Sequence, residues 1–280
     1  MDTPVVSVVI PALNAARTIA EQLEALESQV CTEPFEVIVA DNGSSDNTRS
    51  IVSSYAARLA NFKLVDASAK RSANAARNAG WRASAGYKLL FCDADDIAAP
   101  GWIAGMAAAL DVYDGIGGML DYQRLNPHLS EREPQCALFR ERAVRVPIGA
   151  CSGWRRTFLE RIGGFDDSWV IGGDDIEVAI RAAIAGARMG VAPDAFMHKR
   201  EREDKRALAR QFYVYGKARA RLIKTFPDLA ARRSALSVSR EWVWLTGQLL
   251  RGRTSHGVVR RAAHNLGRLV GSIEHRCWGL

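Results

Sequence analysis

The chain has 280 residues, 48% of them hydrophobic and 25% charged, with five cysteines and a formal net charge of +7. That composition supplies a buried core and excludes wholesale disorder, and the length suits one large α/β domain or one domain with an appendage. Cys31, Cys92, Cys136, Cys151 and Cys277 are odd in number and form no CxxC pair, which excludes a disulfide framework or structural zinc and points to a reducing, cytoplasmic compartment.

Charge is unevenly spread. Residues 1–198 hold 19 Lys+Arg and 25 Asp+Glu, a net −6, whereas residues 199–280 hold 19 and 6, a net +13. The break near His198 separates two regions that face different partners. The opening MDTPVVSVVIPALN has no basic leader and too short an apolar stretch for export. No apolar run reaches the roughly 18 residues that a spanning helix needs.

Val5-Val6-Ser7-Val8-Val9-Ile10 is a β-branched run closed by Pro11, the pattern of a strand buried on both faces. A helix follows over 16–29, with Ile19, Leu23 and Leu26 on one stripe. Residues 35–40 form a second buried strand, ended by the turn cluster Asp41-Asn42-Gly43-Ser44-Ser45, after which Asp46 is placed to cap a helix. A third strand is predicted over 62–65, a helix over 72–85, a fourth strand over 87–92 and a helix over 101–112, with Pro100 near its start. Residues 126–147 read as an irregular excursion. Gly149 to Gly153 then lead into a short helix over 154–162, and a helix opens at Gly172-Gly173-Asp174-Asp175. A strand is expected over 188–197, and the chain reads as helical from about 204.

Alternating strands and helices imply a mainly parallel sheet covered by helices on both faces. Ligands of such sheets bind beyond the carboxyl ends of the strands. Pro11 to Asn14, Asp41 to Asp46 and Asp93 to Asp96 are the loops at that edge. Asp93 and Asp95, two apart on an extended backbone, are expected to face alike, and paired carboxylates with phosphate oxygens are how Mg2+ is usually held. A solvated turn that caps the next helix is the plainer alternative. Asp41 is suited to accept from a base or ribose, or to close an Asx turn over Gly43. Arg77 is suited to a phosphate or a loop carboxylate. Asp174 and Asp175 stand at a helix N-terminus, where the dipole favours the ionised form that a general base requires. His198, after a strand, is a candidate metal or phosphate partner.

VSVVIPALNAARTIAEQLEAL, FEVIVADNGSSDNT, ANAARNAG, FCDADD, GACSGWRRTFLERIGGFD and GGDDIEVAIRAAIAG occur in the order and near the spacing of family 2 inverting glycosyltransferases of the GT-A fold, which residues 5–198 resemble. The resemblance implies an α/β GT-A domain over 1–200, with a Rossmann-like nucleotide-sugar half over 1–98 and an acceptor and catalytic-base half over 99–200. A basic, helical C-terminal region follows over 201–280. It implies a nucleoside-diphosphate sugar donor (UDP first, GDP or dTDP next), Mg2+ or Mn2+, and transfer to an unidentified acceptor hydroxyl by single displacement. Pro11, Asn14 and Asp41 would line the nucleoside pocket, with Arg77 by the donor and Asp93 near the ribose or sugar. Asp95 and His198 would hold metal, and Asp175, next to Asp174, matches the base. Asn42 stands where the family commonly has Asp, Asp174 where it often has Glu, and Cys151 where many members place Asn near the acceptor.

Two other function classes compete. Nucleotidyl transfer wants a glycine-rich phosphate loop after the first strand, and Pro11-Ala12-Leu13-Asn14-Ala15 has no glycine. A non-catalytic relative that only binds nucleotide-sugar is at odds with the presence of Asp93, Asp95 and Asp175. In the basic region, Trp242, Trp244 and Trp278 accompany arginines in helical patterns. Accessory helices packed on the catalytic domain are the favoured reading there, and peripheral contact with the inner face of a membrane is the second. No nucleic-acid-binding module is present, so nucleic acid is not an expected partner.

Overall fold

The computed structural model describes residues 3–59, 61–127, 133–170, 172–202, 204–230 and 234–277. They gather into two compact units: residues 1–140, 145–170 and 174–201, and residues 141–144, 171–173 and 202–280. Trp278 and residues 128–132 lie outside the described residues.

The first unit begins as the alternation predicts. Strands β1 (Val6–Ala12), β2 (Phe35–Asp41), β3 (Phe62–Asp66) and β4 (Lys88–Cys92) alternate with helices α1 (Ile19–Glu27), α2 (Thr48–Ser54) and α3 (Ala73–Ala83). They pair in the order β3-β2-β1-β4, every pair parallel. Parallel neighbours require a crossover, and the helices supply it. Both faces of β1 are covered: Val6, Val8 and Ile10 pack with Ile19, Leu23 and Leu26 of α1, while Val9 faces Trp81, Phe91 and Trp154. That is why the strand reads as an unbroken apolar run rather than an alternating one.

The next elements in the chain are β5 (Ile97–Ala98), α4 (Trp102–Leu110), β6 (Gly115–Asp121), β7 (Gln135–Cys136), β8 (Leu138–Glu141), β9 (Val144–Pro147), β10 (Cys151–Arg155), α5 (Arg156–Arg161), α6 (Asp174–Ile184) and β11 (Met189–His198). Beyond β4 the sheet order continues β10-β6-β11-β5. β10 runs antiparallel to both β4 and β6, and β11 runs parallel to β6. Two reversals therefore restore the original direction, so β11 ends at the same edge of the sheet as β1, β2 and β4.

Three sequence expectations change here. The helix expected over 154–162 starts at Arg156, because Trp154 and Arg155 belong to β10, where Trp154 pairs with Leu89 and Gly115. Strand β6 was not anticipated: GIGGMLD has a single β-branched residue, Ile116, among three glycines. Its glycines answer crowding instead, since a Cβ at Gly117 would overlap the Ala137 carbonyl and one at Gly118 would lie 2.6 Å from both Ala195 O and Cys151 Sγ. Within 126–147, β8 and β9 form a two-stranded sheet, so the excursion is partly regular.

The second unit contains α7 (Lys205–Thr225), α8 (Ala235–Leu250) and α9 (His256–Glu274). Asp204 caps α7 by accepting from the Arg206 and Ala207 N–H groups, and Ser255 caps α9 through Val258 N. α7 and α9 approach closely enough that side chains at Gly216 and Gly267 would overlap the carbonyl oxygens of His264 and Tyr213. Among the described residues no helix is long and apolar enough to cross a membrane.

Gly267→Val is expected to destabilise this unit by roughly 2–4 kcal/mol, because overpacking at a backbone contact has no side chain to displace. Gly247→Ala on α8, where a Cβ meets nothing within 4 Å, should be neutral or gain up to about 1 kcal/mol from helix propensity. Denaturant midpoints of the two variants check this, and an unshifted midpoint for Gly267→Val would contradict the close crossing.

Candidate active site

The carboxyl edge of the parallel strands is built from interlocked loops. Pro11 and Ala12 close β1 beside Ala40 and Asp41 of β2. Asn14, in the left-handed region at φ 51°, accepts from Ser45 N–H at 2.8 Å, and its own N–H donates to Ser44 Oγ at 2.9 Å. Asp41 is 1% exposed and accepts from Ser44 N–H at 3.3 Å and from Arg49 Nη1 at 3.0 Å. Pro11, Asn14 and Asp41 are thus brought together, and Asp41 closes the expected turn while also carrying an ion pair. Asn42 is buried, and its Nδ2 donates to the carbonyls of Ala67 and Lys70, a structural job that an aspartate could not do.

After β4, Asp93 to Asp96 form a turn rather than the extended backbone expected. The turn achieves more than alternation would. One oxygen from each of Asp93, Asp95 and Asp96 lies within 4.8 Å of the others, a hard-oxygen set of the kind Mg2+ or Mn2+ accepts. Two residues that the sequence reading passed over hold this loop. Lys199 Nζ donates to Asp93 Oδ2 at 2.9 Å and Asp96 Oδ2 at 2.8 Å. Arg200 donates from its backbone N to Asp96 Oδ1 at 2.9 Å and from Nε to Asp95 O at 3.1 Å. Burial pushes the Asp96 carboxyl up to about 7, Lys199 pulls against that shift, and Asp93 and Asp95 add to it. Burial works against the charge on Lys199, but Asp93, Asp96 and Asp95 outweigh it and hold the amine well above its ordinary range.

A second acidic pair sits across Arg77. This side chain is 6% exposed, stacks 5.7 Å from the Phe165 ring, and donates from Nη1 to Asn74 Oδ1 at 3.1 Å and Asp174 Oδ2 at 2.6 Å. Its Nη2 lies 3.8 Å from Asp93 Oδ1. Arg77 therefore joins the acid loop to the start of α6, and despite burial it is held charged by Asp174 and Asp93. Asp175 Oδ1 accepts from the Ile176 N–H at 2.9 Å. Asp175 is partly exposed, yet the surrounding protein and then the Asp174 charge push its carboxyl up to about 7.

His198 closes β11 beside Ile97 of β5. Its Nδ1 lies 2.7 Å from Asp121 Oδ2 and its Nε2 lies 3.1 Å from Arg124 Nη1. It does not share the three-carboxylate group. Cys151 does not face an acceptor region either: it is buried in β10 opposite Cys92, and its sulfur accepts from Trp102 Nε1 at 3.3 Å. Burial pushes that thiol up to about 12, so it behaves as a small apolar side chain.

An α/β sheet whose parallel strands end at one edge with a tight acid loop is the architecture of GT-A glycosyltransferases. Residues 7–163 match the family model described as "Glycosyl transferase family 2", and the chain belongs to that family. The chain is similar to the glycosyltransferase AglE of Haloferax volcanii, 27% identical over 223 residues that cover 75% of this chain and 72% of that protein. It is 29% identical over 239 residues to the validoxylamine A glucosyltransferase of Streptomyces hygroscopicus subsp. jinggangensis, covering 69% of this chain and about half, 54%, of that longer protein. Among solved structures, the mannosyltransferase PcManGT of Pyrobaculum calidifontis, in complex with GDP-Man and Mn2+, aligns over 99% of this chain and 88% of its own at a TM-score of 0.64 and 19% identity. TarS 1-349 of S. aureus, in complex with UDP-GlcNAc, aligns over 98% and 92% at a TM-score of 0.54 and 17% identity. The chain is a sugar-transferring enzyme of this fold.

The Asp175 shift has a consequence for stability. In the folded chain its carboxyl keeps a proton up to about 7, whereas its ordinary value is 3.8. Between those values the folded state binds more protons than the unfolded one, so this group lowers stability as pH rises through the window. Asp175→Asn should therefore gain on the parent as pH rises from 5 to 8, by on the order of 1–3 kcal/mol. Denaturant unfolding of both proteins at the two pH values tests this. An identical difference at both would show that Asp175 titrates normally.

Proposed function

We propose that the chain transfers a sugar from a nucleoside-diphosphate sugar to an acceptor hydroxyl, with inversion at the anomeric carbon and with Mg2+ or Mn2+ on the acid loop. The observation that carries this reading is the placement of two acidic groups about one buried arginine: Asp93, Asp95 and Asp96 on one side, Asp174 and Asp175 on the other. The first group suits a cation and a diphosphate. The second suits a proton acceptor, and an inverting displacement needs one base and no nucleophile beneath the sugar.

Pro11, Asn14 and Asp41 are assigned to the nucleoside, Asp93 to the ribose or sugar, and Asp95 to the metal. His198 is assigned as a further metal ligand. Support comes from Asp121 on its Nδ1, which orients the ring as a carboxylate orients a ligating imidazole, and ligation through Nε2 requires that Arg124, 3.1 Å from that nitrogen, move aside. When bound, the divalent ion offsets the charge that develops on the leaving diphosphate. Arg77 fixes Asp174 and lies beside Asp93, which keeps the donor and base halves in register. Asp174 is committed to that arginine, so Asp175 is the residue that takes the acceptor hydroxyl proton. UDP is the first donor nucleotide to test, followed by GDP and dTDP.

Contact with an anionic membrane surface on the cytoplasmic side is the second part of the proposal. It is supported by Leu236, Val243 and Leu250 on α8, seven residues apart and 61%, 74% and 84% exposed. Trp242 and Trp244 flank that stripe and are partly exposed, and Arg240, Arg251 and Arg253 lie on or just beyond the helix. Apolar and aromatic residues beside arginines are what an interfacial helix presents to lipid.

Melting temperatures with UDP, GDP and dTDP, each with and without Mn2+, test the donor site by mass action. A metal-dependent rise with one diphosphate is expected, and Asp95→Ala should remove the metal-dependent part; a full shift in that variant would refute the metal role. Asp175→Asn should keep donor affinity while transfer falls about 10²- to 10⁴-fold. Transfer by the parent enzyme should rise with pH through about 7 as Asp175 ionises. If Asp174→Asn keeps its fold and reproduces the loss while Asp175→Asn does not, the base is the other neighbour.

A further inference from the structure

Lys199 is placed where its charge matters to whatever the acid loop binds. Its side chain is 21% exposed, and its ammonium spans Asp93 Oδ2 and Asp96 Oδ2 at 2.9 and 2.8 Å. Asp96 is fully buried and its other oxygen, Oδ1, already accepts from Arg200 N. The Oδ2 atom that Asp96 could offer an ion is thus the atom Lys199 holds, and one oxygen cannot serve an ammonium and a divalent ion at full strength. The Lys199 backbone is pinned at both ends: its N–H donates to Asp121 O at 2.8 Å and its carbonyl accepts from Asn126 Nδ2 at 2.8 Å. Only the four-carbon stem and its point charge are left to move.

We propose that Lys199 is a resident counter-cation of the acid loop. It neutralises part of the cluster in the donor-free enzyme, keeps the affinity for a lone divalent ion low, and turns its charge toward the diphosphate when donor and ion arrive together. The proposal rests on the reading of this loop as the metal and diphosphate site. Its chemistry is simple repulsion: an ammonium within contact of two carboxylates disfavours a second cation on the same oxygens, and a diphosphate anion relieves that repulsion by attracting both. Lys199 thereby makes metal and donor binding cooperative without a conformational change of the backbone. Reciprocity then requires that the nucleotide raise metal affinity by the factor by which the metal raises nucleotide affinity.

The test measures Mn2+ binding to the full chain without nucleotide, from the electron paramagnetic resonance signal of free Mn2+. Lys199→Met should bind Mn2+ at least ten-fold more tightly than the parent, and Lys199→Arg, which keeps the charge, should bind it as the parent does. Binding of UDP and GDP in EDTA should move the opposite way and weaken in Lys199→Met. A residue that only props up the loop would lower both affinities. Because Lys199→Met leaves Asp96 buried beside an apolar side chain, the comparison is repeated between Asp96→Asn and Asp96→Asn/Lys199→Met, where the double variant should again bind Mn2+ more tightly. Unchanged or weaker Mn2+ binding on removal of Lys199 in both backgrounds overturns the proposal. If that occurs while Asp95→Ala still abolishes Mn2+ binding, the metal reading stands and the role of Lys199 alone falls. If no variant binds Mn2+ with or without nucleotide, both fall.

Discussion

The site depends on how five carboxylates are kept in one small region with two cations among them, the buried Arg77 and the partly buried Lys199. Asp93, Asp95 and Asp96 come from one turn, and Asp174 and Asp175 from one helix start. Lys199 bridges Asp93 and Asp96, while Arg77 bridges Asp174 and, at longer range, Asp93. Buried charges survive only when paired or hydrogen-bonded, and here each cation serves two acids, with Asp93 common to both. Fully ionised, this arrangement still carries excess negative charge. An arriving divalent ion or a retained proton relieves it, and those are the two species that metal-assisted sugar transfer uses.

The sheet explains why the groups meet. β1, β2 and β4 end at one edge because they are parallel, which collects Asn14, Asp41 and Asp93. β10 and β6 then reverse direction twice, so that β11 also ends there and delivers Lys199 and Arg200 to the acid loop. β5 pairs with the last two residues of β11 and so ties that loop to the strand bearing its cation. A ligand-binding edge of this kind is a property of the topology, and the side chains supply its chemistry.

What the sequence discloses follows from the same physics. β1, β2 and β4 are legible because burial on both faces leaves runs of Val, Ile and Leu, and the turn residues after them mark the edge. β6 and β10 are illegible because their crowded interior positions demand glycine, which carries no strand signal. The acids were legible one by one, but not the turn that brings Asp96 to Asp93 and Asp95. Lys199 and Arg200 were passed over: the charge tally broke at His198 and counted them with the basic residues 199–280, although the expected domain ran to 200, and spatially they belong with the acids of residues 1–198. Composition averages over a segment, and an ion pair across a hundred residues of chain leaves no trace in such an average.

Asp174 and Asp175 show how neighbours of one chemical type acquire different surroundings. Successive residues on a helix point about 100° apart, so a single guanidinium fixed by Asn74 and Phe165 meets one of them squarely and not the other. Asp174 receives the direct ion pair. Asp175 receives the crowding of the surrounding protein and the repulsion of Asp174, which raise its affinity for a proton against the opposing pull of the Ile176 N–H and the Arg77 charge. A base must be ionised at the working pH yet hold a proton once the acceptor releases it, and a carboxylate poised near neutrality does both better than one locked to an arginine. Where the pattern that the chain resembles often has glutamate, the shorter Asp174 still reaches Arg77 at 2.6 Å.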